Sequence, residues 1–247
     1  MAARLTFPFV PPVGHHQTCW TDCFGNVVAS VDAQLSALAN ASRAIVVLTR
    51  TDALRRQKRM RAQLGRFELL WPEPVFVTFD FENLSNGCPG ACMDNRTVAA
   101  SEPSTVAVAL THLAIANALC TRTTTLRVAL VLEDDVVIQP AILFAQTARV
   151  LREVRASRGW HFVAMGCSQY GCGHGRLMTG MQPCSRLYLV SRAGLCLMAA
   201  RGLPLHAPID VAMPYIFAER SAHVFHVTRW SMRHGSYMHG VARGADF

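Results

Sequence analysis

Charged side chains are scarce in this sequence: Asp, Glu, Lys and Arg make up 16% of it, against 51% hydrophobic residues. That shortage excludes a disordered chain, which stays unfolded through high charge and low hydrophobicity. No low-complexity block and no internal repeat interrupts the 247 residues, which excludes a repeat architecture. The formal charge is +8, but no zinc-finger spacing, RNP-like aromatic motif or helix-turn-helix accompanies it, so no nucleic-acid partner is expected. Nor is there a leader pattern. The opening "MAARLTFPFVPPVGHH" has one Arg, and three prolines break its apolar patch. The longest uncharged run, Pro103 to Thr121, contains His112, Asn117 and several threonines and reads as a buried helix, not a transmembrane segment. A cytoplasmic protein with one large core is expected, with the secretory pathway as the alternative.

Cysteine, by contrast, is plentiful. There are nine, an odd number. Cys19 and Cys23 follow His15 and His16, and Cys88 with Cys92 repeats the CxxxC spacing. A zinc site needs four well-placed ligands and CxxxC is looser than the usual knuckle. Zinc, disulfides and free thiols packed as small hydrophobes all stay open. Much of the basic charge collects in "RTDALRRQKRMRAQLGR", a pattern that suits a solvated helix face or an anion site.

Along the chain, Val27 to Ala41 has a helical pattern, and "AIVVLTR", Ala44 to Arg50, is a short apolar run that suits a strand buried on both faces. Thr51 and Asp52 supply an N-cap for a helix whose stripe is Ala53, Leu54, Gln57, Met60 and Leu64, closed by Gly65. "PVFVTFDF" (74–81) is a second strand, Ser104 to Leu119 a helix, and "LRVALVL" a third strand. Pro140 opens a helix over Ala141 to Arg155, and "HFVAMG" is another strand. Cys167 to Cys184 is a Gly-rich loop. "SRLYLVSRAGLCLMAARG" gives strand, turn and helix with Ser191 as cap, and "AHVFHV" a last strand. Strands alternating with helices predict a single α/β domain, a mainly parallel sheet flanked by helices, over residues 44–247, preceded by an irregular and helical extension, 1–43.

The chemistry concentrates in "LVLEDDVVI", Leu130 to Ile138. Three consecutive carboxylates in a run that otherwise wants burial repel one another unless a cation neutralises them or water solvates them. In open α/β sheets ligands bind at the carboxyl ends of strands, where this triplet falls. If strand geometry persists, Glu133 and Asp135 point to one side and Asp134 to the other, and two hard oxygen ligands suit Mg²⁺ or Mn²⁺. A solvated loop, or a cap for the next helix, is the other reading.

The order of segments resembles glycosyltransferase family 25, the group of lipooligosaccharide and collagen galactosyltransferases. The matching pieces are "VVLTRTDALRRQKRMRAQL", "VALTHLAIANAL", "LVLEDDVVI", "SRLYLVSRAGLCLM" and "APID", spanning about residues 44 to 217. The Cys-rich stretches at 88–92 and 167–184 are not part of the family's pattern. The resemblance implies a GT-A (Rossmann-like) fold, a UDP-hexose donor, galactose or glucose, an Mn²⁺ or Mg²⁺ ion, inversion at the anomeric carbon, and a glycan or protein acceptor. It makes Glu133 and Asp135 metal ligands, with His234 or His239 completing the shell, and Asp210 of "APID" the base that takes the acceptor proton. Thr49, Arg50 and Asp52 then contact the base or ribose, Arg56 or Arg55 approaches the diphosphate, and His112, Asp134 and Ser236 join the nucleotide-sugar pocket. A transferase-like module without turnover, or a basic nucleic-acid binder or phosphodiesterase using the same carboxylates, are the competing classes.

Overall fold

Strand β1 (Arg43–Arg50) is buried at six consecutive positions, as a strand covered on both faces must be. The structure is a computed structural model and describes residues 25–65, 71–79, 103–138, 140–156, 159–165, 177–180, 185–203, 205, 207–227 and 233–234. β1 pairs in parallel with β2 (Val75–Phe79) and β3 (Val128–Glu133). The sheet continues through β7 (Leu187–Ser191), β5 (Phe162–Ala164), β8 (Val224–Val227) and β6 (Leu177–Thr179), giving the order β2-β1-β3-β7-β5-β8-β6. β7 runs antiparallel to both neighbours, and β6 antiparallel to β8. The expected α/β class holds, but the sheet is mixed. β7 enters beside the end of β3, where the Glu133 N–H donates to the Arg186 carbonyl at 2.9 Å. A separate two-stranded ribbon pairs β4 (Val136–Val137), just after the acidic triplet, with β9 (Arg233–His234).

Side-chain alternation sorts the sheet into two cores. Val46, Leu48, Ala129 and Val131 face one layer with α1 (Gly25–Gln34), α3 (Pro103–Arg122), α5 (Arg192–Arg201) and α6 (Ile209–Ile216). Ile45, Val47, Leu130 and Leu132 face the other, with α2 (Leu54–Leu64) and α4 (Pro140–Ala156). Val31, Leu35 and Leu38, within the stretch that the sequence sets apart as an extension, lie in the first core. α3 is the one helix, among the described residues, long and apolar enough to cross a membrane, and 67% of its apolar stretch is buried in the protein.

α3 and α5 are joined in two ways. A disulfide links Cys120 to Cys196. Arg192 donates to the carbonyls of Thr123 at 3.0 Å and Cys120 at 3.1 Å, satisfying orphan acceptors near the end of α3. Between α5 and the sheet, Gly194 lies so close that a Cβ there would meet the His161 carbonyl oxygen at 2.2 Å. The predicted cap is also in place, since the Ser191 hydroxyl accepts from the Gly194 N–H at 3.2 Å.

Four expectations need correcting. The first helix stops at Gln34 and gives way to a 3₁₀ turn at Ser36–Leu38, so it does not reach Ala41. α2 is capped by Ala53 and not by Thr51 or Asp52, whose carboxylate is taken by Arg50 at 2.7 Å. The stripe of α2 is narrower than predicted, with Met60 and Leu64 buried and Leu54 70% exposed. The Gly-rich stretch contains strand β6, because the edge of β8 offers its backbone a ladder. The pairs Cys19–Cys23 and Cys88–Cys92, with His15 and His16, lie outside the described residues.

Candidate functional site

β1 and β3 end side by side, which brings Thr49 and the acidic triplet to one edge of the sheet. The strand ends at Glu133, and Asp134 and Asp135 form a turn, so alternation governs Glu133 and Asp134 and stops there. Each of those two goes to its own face and finds its own partners.

Glu133 turns toward the layer of α3 and is mostly buried, with 19% of its side chain exposed. Its Oε1 accepts from the Ser185 hydroxyl at 2.9 Å and lies 3.4 Å from His112 Nε2. His112 is fully buried, and its Nδ1 is 2.9 Å from the Tyr188 hydroxyl. Because an ionised carboxylate only accepts, both contacts are satisfied when His112 carries its proton on Nε2 and accepts the Tyr188 proton on Nδ1. Burial, and after it the Glu133 charge, hold the Tyr188 phenol well above its ordinary range, so it remains a donor. Phe162 stacks on the Tyr188 ring at 4.8 Å and fixes it. Glu133 Oε2 takes no hydrogen bond among the described residues.

Asp134 turns toward α2 and is 5% exposed. The Thr49 hydroxyl donates to its Oδ2 at 2.5 Å, and Arg56 Nη1 stands 3.3 Å from its Oδ1. The Asp134 backbone is pinned as well: its N–H donates to the Leu48 carbonyl at 3.0 Å, and its carbonyl accepts from Arg59 at 3.1 Å. Burial pushes the Asp134 carboxyl above the usual carboxylate range; the Thr49 hydrogen bond and Arg56 oppose this, and Asp135 and Glu133 add to it.

The predicted residues therefore separate. Thr49, Arg56, His112, Glu133 and Asp134 are brought together at the ends of β1 and β3, with Asp135 next in the turn. Arg50 and Asp52 pair with each other in solvent, at 46% and 69% exposure. Asp210 lies in the first turn of α6, on the same side of the sheet as His112, and its Oδ1 accepts from the Val211 N–H at 2.9 Å. The backbone of His234 is opposite Val136, one residue past Asp135. The side chain of His234, and all of Ser236 and His239, lie outside the described residues. Ser185, Tyr188 and Arg59 are additions that the sequence reading missed. Tyr188 shares an alternation face with Val190, but that β7 lies next to β3 is not encoded in local pattern.

Among the described residues no three His, Cys, Asp or Glu side chains form a group able to hold a metal. The donor chemistry is nevertheless of one kind. Glu133 is fixed through one oxygen, the other taking no hydrogen bond among the described residues, and Asp135 follows two residues on, a partial hard-oxygen set of the sort that Mg²⁺ and Mn²⁺ share with phosphate. No protein-family profile matches the chain, and no curated protein is similar to it.

Proposed function

We propose that the protein is a metal-dependent, inverting glycosyltransferase of GT-A type that moves a hexose from a UDP-sugar to a hydroxyl of a glycan or protein acceptor. One observation carries this reading: at the carboxyl end of a central strand, Glu133 is held by Ser185 and His112 through Oε1, and its Oε2 takes no hydrogen bond among the described residues. A carboxylate that served only to satisfy its neighbours would gain nothing from this edge position. A divalent ion held by Glu133 and Asp135 would supply positive charge to the departing nucleoside diphosphate.

The chain's own residues have distinct tasks. Ser185, His112 and Tyr188 orient Glu133 as a connected row, so its geometry is set before a ligand arrives. Thr49, Arg56 and Arg59 hold the turn through Asp134, which positions Asp135. Arg56 stands at the strand end where a diphosphate would approach, and a guanidinium offers it a two-pronged donor. Asp210 takes the proton of the acceptor hydroxyl. The Cys120–Cys196 bond suits the secretory alternative, since an oxidising compartment would preserve it.

A thermal-shift screen of UDP, GDP and ADP with and without Mn²⁺ tests the reading, since a ligand that binds only the folded state raises the melting temperature. Stabilisation by UDP that requires Mn²⁺ is expected, with the Mn²⁺ dependence lost in Asp135→Asn. Equal responses to all three nucleotides, or a UDP response indifferent to Mn²⁺ in both proteins, overturn it. Hydrolysis of UDP-galactose or UDP-glucose under the same conditions separates an enzyme from a module that only binds.

A further inference from the structure

At the other edge of the sheet, where β1 and β3 begin, a cavity of about 390 Å³ opens against the last turns of α4. Among the described residues its charged lining is Arg43, Arg127 and Arg155, with no carboxylate, while Val128, Leu151 and Trp160 supply an apolar wall. This edge is distinct from the acidic one. β1 is eight residues long, and at about 3.3 Å per residue its two ends are roughly 23 Å apart.

The arginines are placed by the backbone. Arg43 opens β1 opposite Val128, so Arg127, the residue just before, stands beside it; the Arg127 N–H donates to the Ser42 carbonyl at 2.9 Å and fixes that alignment. The Arg43 guanidinium lies 5.7 Å from the Trp71 ring centroid, which restrains its direction. Arg155 occupies the last turn of α4, where it complements the helix dipole. Arg127 and Arg155 form no ion pair among the described residues, whereas Arg50, Arg56, Arg122 and Arg149 do.

Arg127 and Arg155, both exposed and both without an ion pair among the described residues, repel each other around one cavity, and an anion inside it relieves the two together. Guanidiniums suit tetrahedral oxyanions in particular, because their forked donors match two oxygens together. The wall of Val128, Leu151 and Trp160 adds a requirement that free phosphate does not meet: a flat or apolar body to cover it. The volume falls in the range of small-molecule sites, about 300–1,000 Å³. Among the described residues the lining holds one hydroxyl, Ser42, and no histidine, cysteine or carboxylate to activate it, so the site is read as one that binds.

We propose that this cavity is a second ligand site, taking a small phosphate or sulfate monoester whose apolar or aromatic body rests against Trp160. It does not depend on the transferase reading, and the two can fail separately.

Titration of the full chain by calorimetry and tryptophan fluorescence tests it, with phenyl phosphate, phenyl sulfate, inorganic phosphate and phenol as probes. Saturable binding of at least one phenyl ester is expected, weakening as salt rises. It should be about tenfold tighter than inorganic phosphate, the signature of a working apolar wall, and phenol should not bind. Whichever ester binds more tightly identifies phosphate or sulfate as the natural group. Arg127→Gln with Arg155→Gln should weaken binding about tenfold or more, and Trp160→Phe should abolish the fluorescence change while leaving calorimetric binding measurable. Absence of saturable binding at millimolar ester, affinity unchanged in the double arginine variant, or equal affinity for inorganic phosphate and the esters would each overturn the proposal. So would tighter binding of an oligonucleotide or of heparin that the esters fail to displace. If the double variant does not fold, the salt dependence and the Trp160→Phe comparison decide the matter.

Discussion

The two edges of the central sheet handle charge in opposite ways. Where β1 and β3 end, the carboxylates of Glu133 and Asp134 are matched from within by Ser185, His112, Thr49 and Arg56. Where the same strands begin, Arg43, Arg127 and Arg155 face a shared cavity whose lining, among the described residues, holds no acid. Burial accounts for the contrast: Asp134 and Glu133 are withdrawn from water and need local partners, while Arg127 and Arg155 are exposed and are satisfied by solvent until a ligand replaces it. A buried charge is thus matched first by the fold, whereas the exposed guanidiniums of Arg127 and Arg155, which form no ion pair among the described residues, are available to something outside it.

Substitutions at the two edges should differ accordingly. The largest effect is expected from Thr49→Val, which leaves a nearly isosteric side chain but strips Asp134 of its buried donor. It should cost about 1–3 kcal/mol, read from the urea midpoint at constant m-value. An unchanged midpoint would mean that the acidic edge is no better matched than the basic one.

A smaller effect concerns pH. The Asp134 carboxyl is raised above its ordinary value of 3.8, mainly by burial. The folded state therefore holds that proton more tightly than the unfolded chain. Its stabilising contribution is complete below 3.8 and is lost as pH rises through the higher folded value. The stability of the wild type relative to Asp134→Asn should fall with rising pH across that window. The opposite slope would mean that Thr49 and Arg56 outweigh burial. The smallest effect is expected at the basic edge, where Arg127→Gln should change stability by no more than about 0.5 kcal/mol. A larger loss would show that this arginine is matched by the fold after all.

Much of this arrangement is legible in the sequence where local pattern decides it. The run from Ala44 to Thr49 announces a doubly covered strand, Ser191 caps its helix, and the triplet falls at a strand end because apolar residues run directly into it. The opposite facing of Glu133 and Asp134 follows from the two-residue period of a strand. What each meets there does not. Tyr188 reaches His112 only because β7 inserts antiparallel between β3 and β5, a nonlocal choice that no short motif encodes. Arg56 reads as a diphosphate contact, and what the sequence does not show is its neighbour: it lies beside Asp134 because α2 packs against the end of β3. Leu54 fits the helical stripe, but it sits at the very start of α2, where the helix has not yet reached the sheet. The arginine cavity is invisible in the sequence, since Arg43, Arg127 and Arg155 are dispersed over more than a hundred positions.

The link between Cys120 and Cys196 has a topological result. It spans 76 positions, and the stretch it encloses contains the whole triplet together with Ser185 and Tyr188. Most of the acidic edge therefore belongs to one covalent ring, closed by α3 and α5. When the protein unfolds oxidised, that ring survives as a tethered loop, and the chain-entropy model assigns roughly 4–5 kcal/mol to the freedom it withholds. In a reducing medium the tether is gone, and the segment that organises the carboxylates must close on itself by packing alone.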